Sequence, residues 1–210
     1  VLTKSPAGER ALAYLRERGF SDETIEWANL GWAPPDWDAL GRTLEKRRQI
    51  SVAELVETGL ATPRKGGNGA YDRFRARVIF PIRDGRGRII SLGGRSLDPN
   101  ARAKYLNGPE TELFDKGRNL FNHAPAREAA GKGQPLVVAE GYMDVIALSE
   151  AGFKAAVAPL GTAVTEDQLR LMWRIHDEPI ISLDGDAAGI RGEVRQRGRV
   201  WPVRQEIGHR

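Results

Sequence analysis

Between Gln134 and Asp184, short apolar runs alternate with helical stretches, and this alternation constrains the fold more than any other feature. Pro135-Leu-Val-Val-Ala-Glu140 reads as a buried strand, and Met143 to Ala151 as a helix stopped by Gly152. Lys154 to Ala158 is a second strand. Thr165-Glu-Asp-Gln168 is a capping box opening a helix on which Leu169, Met172, Trp173 and His176 share a face. Pro179-Ile-Ile-Ser-Leu-Asp184 is a third strand. Parallel strands need a crossover between them, so this pattern predicts a parallel sheet flanked by helices. Such sheets bind ligands beyond the carboxyl ends of their strands.

Two acidic clusters follow strands of that kind: Glu140-Gly-Tyr-Met-Asp144 and Asp184-Gly-Asp-Ala-Ala-Gly189. Glu140, Asp184 and Asp186 are therefore expected to converge on one sheet edge. Carboxylates brought together repel unless a divalent cation neutralises them, and Mg²⁺ or Mn²⁺ suits oxygen ligands. A lone Asp-Gly-Asp is usually a turn; two acidic motifs, each ending a strand of one sheet, favour the metal. Asp144 has two readings: support for that site, or a first-turn carboxylate favoured by the helix dipole. No zinc site is expected, because cysteine is absent and His123, His176 and His209 fit no ligand spacing.

The first sixty residues read as helical. Ser5-Pro6 opens a helix carrying Leu12, Tyr14 and Leu15, and Gly19 stops it. Ser21-Asp-Glu23 opens a second through Trp27, a third runs from about Trp37 to Lys46, and the capping box Ser51-Val-Ala-Glu54 opens a fourth. Residues 61–70 read as a loop. Arg77 to Arg83, the turn Asp84-Gly-Arg-Gly87 and Arg88 to Leu92 form a hairpin, and Gly93-Gly94-Arg95 signals a close backbone approach. Arg75 and Arg77 are expected on one face of an extended strand. Trp27, Trp32, Trp37, Trp173 and Trp201 could stack on bases, but are expected mostly in the core. Residues 124–133, rich in Ala, Gly and charge, read as a loose boundary.

The net charge is +4, which fits a solvated basic surface or, where clustered, nucleic-acid binding. No apolar run is long enough to span a bilayer and no leader opens the chain, so a cytoplasmic location is expected.

Glu140-Gly-Tyr-Met-Asp144, Gly161-Thr162 and Asp184-Gly-Asp-Ala-Ala-Gly189 together resemble the Toprim domain, and the Glu-Gly-Tyr-x-Asp form resembles that of bacterial DnaG-type primases. Asp72-Arg-Phe-Arg-Ala-Arg-Val-Ile-Phe-Pro-Ile82, Gly93-Gly94-Arg95, Lys104-Tyr-Leu-Asn-Gly-Pro-Glu-Thr111 and Phe114-Asp-Lys-Gly117 resemble the stretch preceding it in those primases. The resemblance runs from near Ser5 to about Gly189. It implies an α/β fold: a helical and β-hairpin N-terminal subdomain (1–125), then a Toprim-like parallel sheet flanked by helices (134–190), with a divergent basic tail (191–210). It implies a DNA primase, a DNA-directed RNA polymerase that makes short RNA primers on single-stranded DNA from ribonucleoside triphosphates. Glu140, Asp184 and Asp186 would be the catalytic metal ligands. Arg73, Arg77, Arg95, Lys104, Asn107 and Lys116 would line a groove for nucleic acid and nucleotide. The replicative helicase would be met through a C-terminal domain that this sequence does not include.

The resemblance breaks in two places. Primases of this kind begin with a Cys- and His-ligated zinc module, and no cysteine is present. After Asp-Gly-Asp they continue to a further acidic pair, typically Asp-Pro-Asp, whereas residues 191–210 hold six arginines and no Asp. That tail reads as a divergent or frameshifted end, or a cut. The competing expectations are therefore an incomplete primase fragment that only binds single-stranded DNA, and a Toprim nuclease.

Overall fold

A computed structural model describes Leu2 and residues 6–66, 68–161 and 164–182 of the chain. Four helices dominate its first part: α1 (Pro6–Glu17), α2 (Asp22–Trp27), α3 (Ala39–Arg48) and α4 (Val52–Glu57). Ser21 caps α2 by accepting from the Thr24 amide, and Ser51 and Glu54 close the expected capping box on α4. The third helix starts two residues later than Trp37, because residues 35–38 form bends instead. Beside these helices runs an antiparallel sheet of β1 (Gly31–Ala33), β4 (Arg77–Arg83), β5 (Ile89–Ser96) and β6 (Tyr105–Asn107), in that order. Val78, Phe80 and Ile82 are completely buried, as the two-residue period of a half-buried strand requires.

Several expectations change here. The loop at 61–70 contains a small antiparallel ladder of β2 (Ala61–Pro63) and β3 (Ala70–Asp72). Arg75 and Arg77 do not share a strand: β3 ends at Asp72, and Ala76 at φ 48° breaks the extended backbone before β4. The hairpin's returning strand runs on through Gly93, Gly94 and Arg95 to Ser96. Residues 124–133 are mostly helix α5 (His123–Gly131), whose Ala126 is fully buried.

The second sheet is ordered β10 (Ile180–Ile181), β8 (Val137–Val138), β9 (Ala156–Pro159), β7 (Leu120–Phe121). β10, β8 and β9 are parallel, and β7 is antiparallel at one edge. Helices α6 (Tyr142–Glu150) and α7 (Glu166–Ile175) complete the described part of the chain. Alternate residues face alternate layers. Leu136, Val138 and Val157 pack with Ala126 and Met172 on the α5–α7 side. Val137, Ala139, Ala156 and Ala158 face the other way. They join one continuous core with Leu15 of α1, Ile25 of α2, Phe80 of β4 and Ile146 of α6. Each large side chain buried there contributes about 1.5–3 kcal/mol, so the two sheets are welded by packing and not merely tethered.

On α7, Met172 and Gln168 are buried while Trp173 is 42% exposed, so Trp173 leaves the predicted face. Trp27 and Trp37 are exposed as well, against their expected core role, and Trp32 is partly buried; Trp201 lies outside the described residues.

Candidate active site

The edge where β8 ends is where a parallel sheet presents its ligands. β8 lies between β10 and β9, all three running the same way, so their carboxyl ends open on one side. Glu140 lies two residues beyond the end of β8 and is exposed. Ser182, the last described residue, donates its amide to Val138 O at 2.8 Å, which keeps the chain alongside β8 as it approaches that edge. Asp184 and Asp186 lie outside the described residues, as does Thr162. Among the described residues no group of three or more His, Asp or Glu side chains could hold a metal. The exposed Glu140 carboxylate is itself the hard oxygen donor that Mg²⁺ or Mn²⁺ takes. Asp144 accepts the Gly141 amide at 3.1 Å and so caps α6. The structure thereby realises its helix-end reading.

Tyr142, the first residue of α6, ties this edge to the antiparallel sheet. Its ring lies 4.7 Å from that of Phe121 and 5.4 Å from that of Phe80. A Cβ on Gly93 would come within 2.6 Å of it, so only glycine fits there. The Tyr142 hydroxyl donates to Asn107 Oδ1, and burial pushes the phenol well above its ordinary range. Asn107 Nδ2 in turn donates to Leu160 O at 3.2 Å. Asn107, expected on the nucleic-acid groove, uses its amide to hold the seam between the sheets.

The expected basic residues divide by what their donors do. Arg73 gives Nε and Nη2 to the Asn107 carbonyl at 3.3 and 3.0 Å. Arg77 gives Nη2 to Ala103 O at 2.8 Å and Nη1 to Lys104 O at 3.1 Å. Partial burial lowers the pKa of both guanidiniums. Lys104 is exposed beside Arg77's partners, and Arg95 lies opposite Val78 on β5. These four residues share the β4–β5–β6 side of the seam. Lys116 belongs to another neighbourhood. It sits in a 3-10 turn (Lys116–Arg118), its own carbonyl accepts from Gln168 Nε2 of α7 at 2.7 Å, and its ammonium pairs with Glu110 at 3.5 Å.

Sequence reasoning missed a second cluster. Arg75 stacks 4.1 Å over the exposed Trp37 ring and 4.9 Å over Tyr71, and Arg64 lies 5.9 Å from Trp37. Cationic side chains over exposed aromatic faces make a surface on which a base can stack. Asp72 holds it in place. Its buried carboxylate accepts the Leu40 amide at 2.6 Å and the Gly41 amide at 3.1 Å, and its own amide donates to Trp37 O at 2.7 Å. Helix α3 has no buried residue, and Asp38 at its start makes no side-chain cap. The cap arrives from 32 residues away, a distance no local motif reveals.

The model of the DNA primase catalytic core, N-terminal domain, matches residues 1–127, and that of the Toprim domain matches residues 134–198. The chain belongs to the DnaG-type primase family. It is 45% identical over 195 residues to the DNA primase of Halalkalibacterium halodurans, covering 93% of this chain and 32% of that protein. It is 48% identical over 185 residues to the DNA primase of Deinococcus radiodurans, covering 88% and 32%. Among solved structures, that of the DnaG primase catalytic domain bound to ssDNA superposes with a TM-score of 0.80 at 41% identity, over 90% of this chain and 58% of that one. The chain thus spans about a third of the length of those two relatives. The mixed α/β architecture expected from the sequence is that of the DnaG catalytic core. Among the described residues no helix is long and apolar enough to cross a membrane.

Proposed function

We propose that this chain forms the catalytic core of a DNA primase and copies single-stranded DNA into short RNA primers. The observation that carries the reading is the seam: Tyr142 and Asn107 hold the acidic strand end against the basic sheet. The relation to a primase catalytic domain bound to ssDNA supports it. The reaction joins the 3′-oxygen of the growing RNA to the α-phosphorus of a ribonucleoside triphosphate and releases pyrophosphate. Glu140, Asp184 and Asp186 would hold Mg²⁺ or Mn²⁺, which supplies charge neutralisation at the phosphoryl oxygens.

The chain's own residues orient the two strands. Arg95 and Lys104 offer cations to phosphates, while Arg73 and Arg77 shape the β6 side of the groove through backbone carbonyls. Lys116 extends the cationic surface towards α7. Contacts to phosphate tolerate any template sequence, as a template reader needs. In this reading residues 1–125 form the nucleic-acid side, 134–190 the Toprim side, and 191–210 a basic tail. The working partners are template, nucleoside triphosphates and RNA primer, with the replicative helicase reached through a further domain, all in the cytoplasm.

The test is primer synthesis on single-stranded DNA with ribonucleoside triphosphates and Mg²⁺ or Mn²⁺. Glu140→Gln should reduce product by more than the roughly 10–100-fold typical of a residue that merely supports a metal ligand. An inactive parent chain that still binds single-stranded DNA would replace this reading with that of a template-binding fragment. Cutting of DNA without nucleoside triphosphates would replace it with a nuclease.

A further inference from the structure

Of the basic residues on the β4–β5–β6 side, Arg95 is held differently from Arg73 and Arg77. Those two are fixed by hydrogen bonds to carbonyls, which occupy their donors. Arg95 is fixed by rings. Its guanidinium carbon lies 4.7 Å from the centre of the Tyr14 ring of α1 and 5.5 Å from that of Tyr105 of β6. Its Nε and Nη1 are buried without a hydrogen-bond partner, and so is the Tyr14 hydroxyl. Stacking on an aromatic face orients a guanidinium plane without using its N–H groups. Buried donors left unpaired are costly, and an anion is the partner that relieves them best. A cavity of about 350 Å³ opens at this point, lined by Tyr14, Arg95, Ser96, Asp98 and Lys104. The one carboxylate there, Asp98, accepts the Asn100 amide at 2.9 Å.

We propose that Tyr14 is a positioning residue: it holds the Arg95 guanidinium with two donors free for a phosphate, making α1 a wall of the substrate site. This rests on the reading of Arg95 as a phosphate ligand. The phosphate could belong to a nucleoside triphosphate or to a strand backbone, since both present the same oxygens.

The experiment measures dissociation constants of the full chain for two probes, ATP with Mg²⁺ and a twelve-residue oligothymidylate. Tyr14→Leu should weaken the probe that occupies the cavity by about five- to tenfold, the range of a partly desolvated cation–π contact. Tyr14→Phe, which keeps the ring, should restore most of the affinity. In an Arg95→Ala background Tyr14→Leu should have no further effect, because the tyrosine acts only through the arginine. Thermal melting of each variant separates loss of fold from loss of binding. Weakening of ATP alone assigns the cavity to the nucleotide, and weakening of the oligonucleotide alone assigns it to the strand. An undiminished affinity for both in Tyr14→Leu, or an equal loss in both backgrounds, overturns the positioning role. An Arg95→Ala variant that binds both probes normally overturns the phosphate reading beneath it.

Discussion

Glu140 and Arg73 lie on opposite sides of the same seam and are held in opposite ways. Glu140 is carried by a two-residue strand whose backbone is locked between neighbours, while its side chain reaches solvent. Arg73 is half-buried, with its guanidinium bound to the Asn107 carbonyl. The acidic side is positioned through its backbone and keeps its carboxylate exposed. The basic side is positioned largely through its charged groups, so part of its charge serves the scaffold. A motif match assigns both sides to substrate with equal ease; the structure adds that the Arg73 guanidinium also serves the scaffold.

Gly93→Ala should break the comparison most severely, because it disturbs the seam without touching either charge. The added methyl would meet the Tyr142 ring at 2.6 Å, and that ring is enclosed by Phe80 and Phe121. Overpacking of this kind costs about 2–3 kcal/mol, or roughly 5–10 °C in Tm for a chain of this size. A calorimetric scan reads it, and an unchanged Tm would mean that the sheets are not held through this contact.

Asp72→Ala acts on the basic side alone. It removes the side-chain cap on the first turn of α3, so it should cost about 2 kcal/mol and, by loosening the helix that follows Trp37, weaken binding of single-stranded DNA. Asp38→Ala, at the formal start of the same helix, should change stability by less than about 0.5 kcal/mol. Equal losses in the two variants, measured by denaturant unfolding, would return the capping role to Asp38.

Tyr142→Phe is the smallest and sharpest change. It keeps the ring packing and deletes one hydrogen bond, leaving Asn107 Oδ1 unpaired, at a cost of about 1 kcal/mol. If the bond aligns Glu140 with the basic sheet, primer synthesis should fall more than that stability loss explains. Activity that simply tracks the fraction folded would make the bond structural only.

Local patterns were readable wherever a few neighbouring residues decide the outcome. The capping boxes at Ser51 and Thr165 formed as expected, as did the strand Arg77–Arg83 and its turn. The close approach signalled by Gly93-Gly94 is real, and its cause is Tyr142 for Gly93 and Phe74 for Gly94. The tryptophans were misread because size and apolarity suggest burial, whereas Trp37 is stabilised at the surface by Arg75. The Arg75–Arg77 face was misread because one positive φ at Ala76 is invisible in a run of β-compatible residues.

The sequence by itself determined the capped helices, the Arg77–Arg83 hairpin strand, the acidic residue just past β8 and the family, because each depends on residues close together in the chain. The tertiary structure alone decided which groups meet: Asp72 with α3, Asn107 with Tyr142, and Tyr14 with Arg95. Those pairs are 32, 35 and 81 residues apart, and such contacts follow from the burial of a shared core rather than from any local preference.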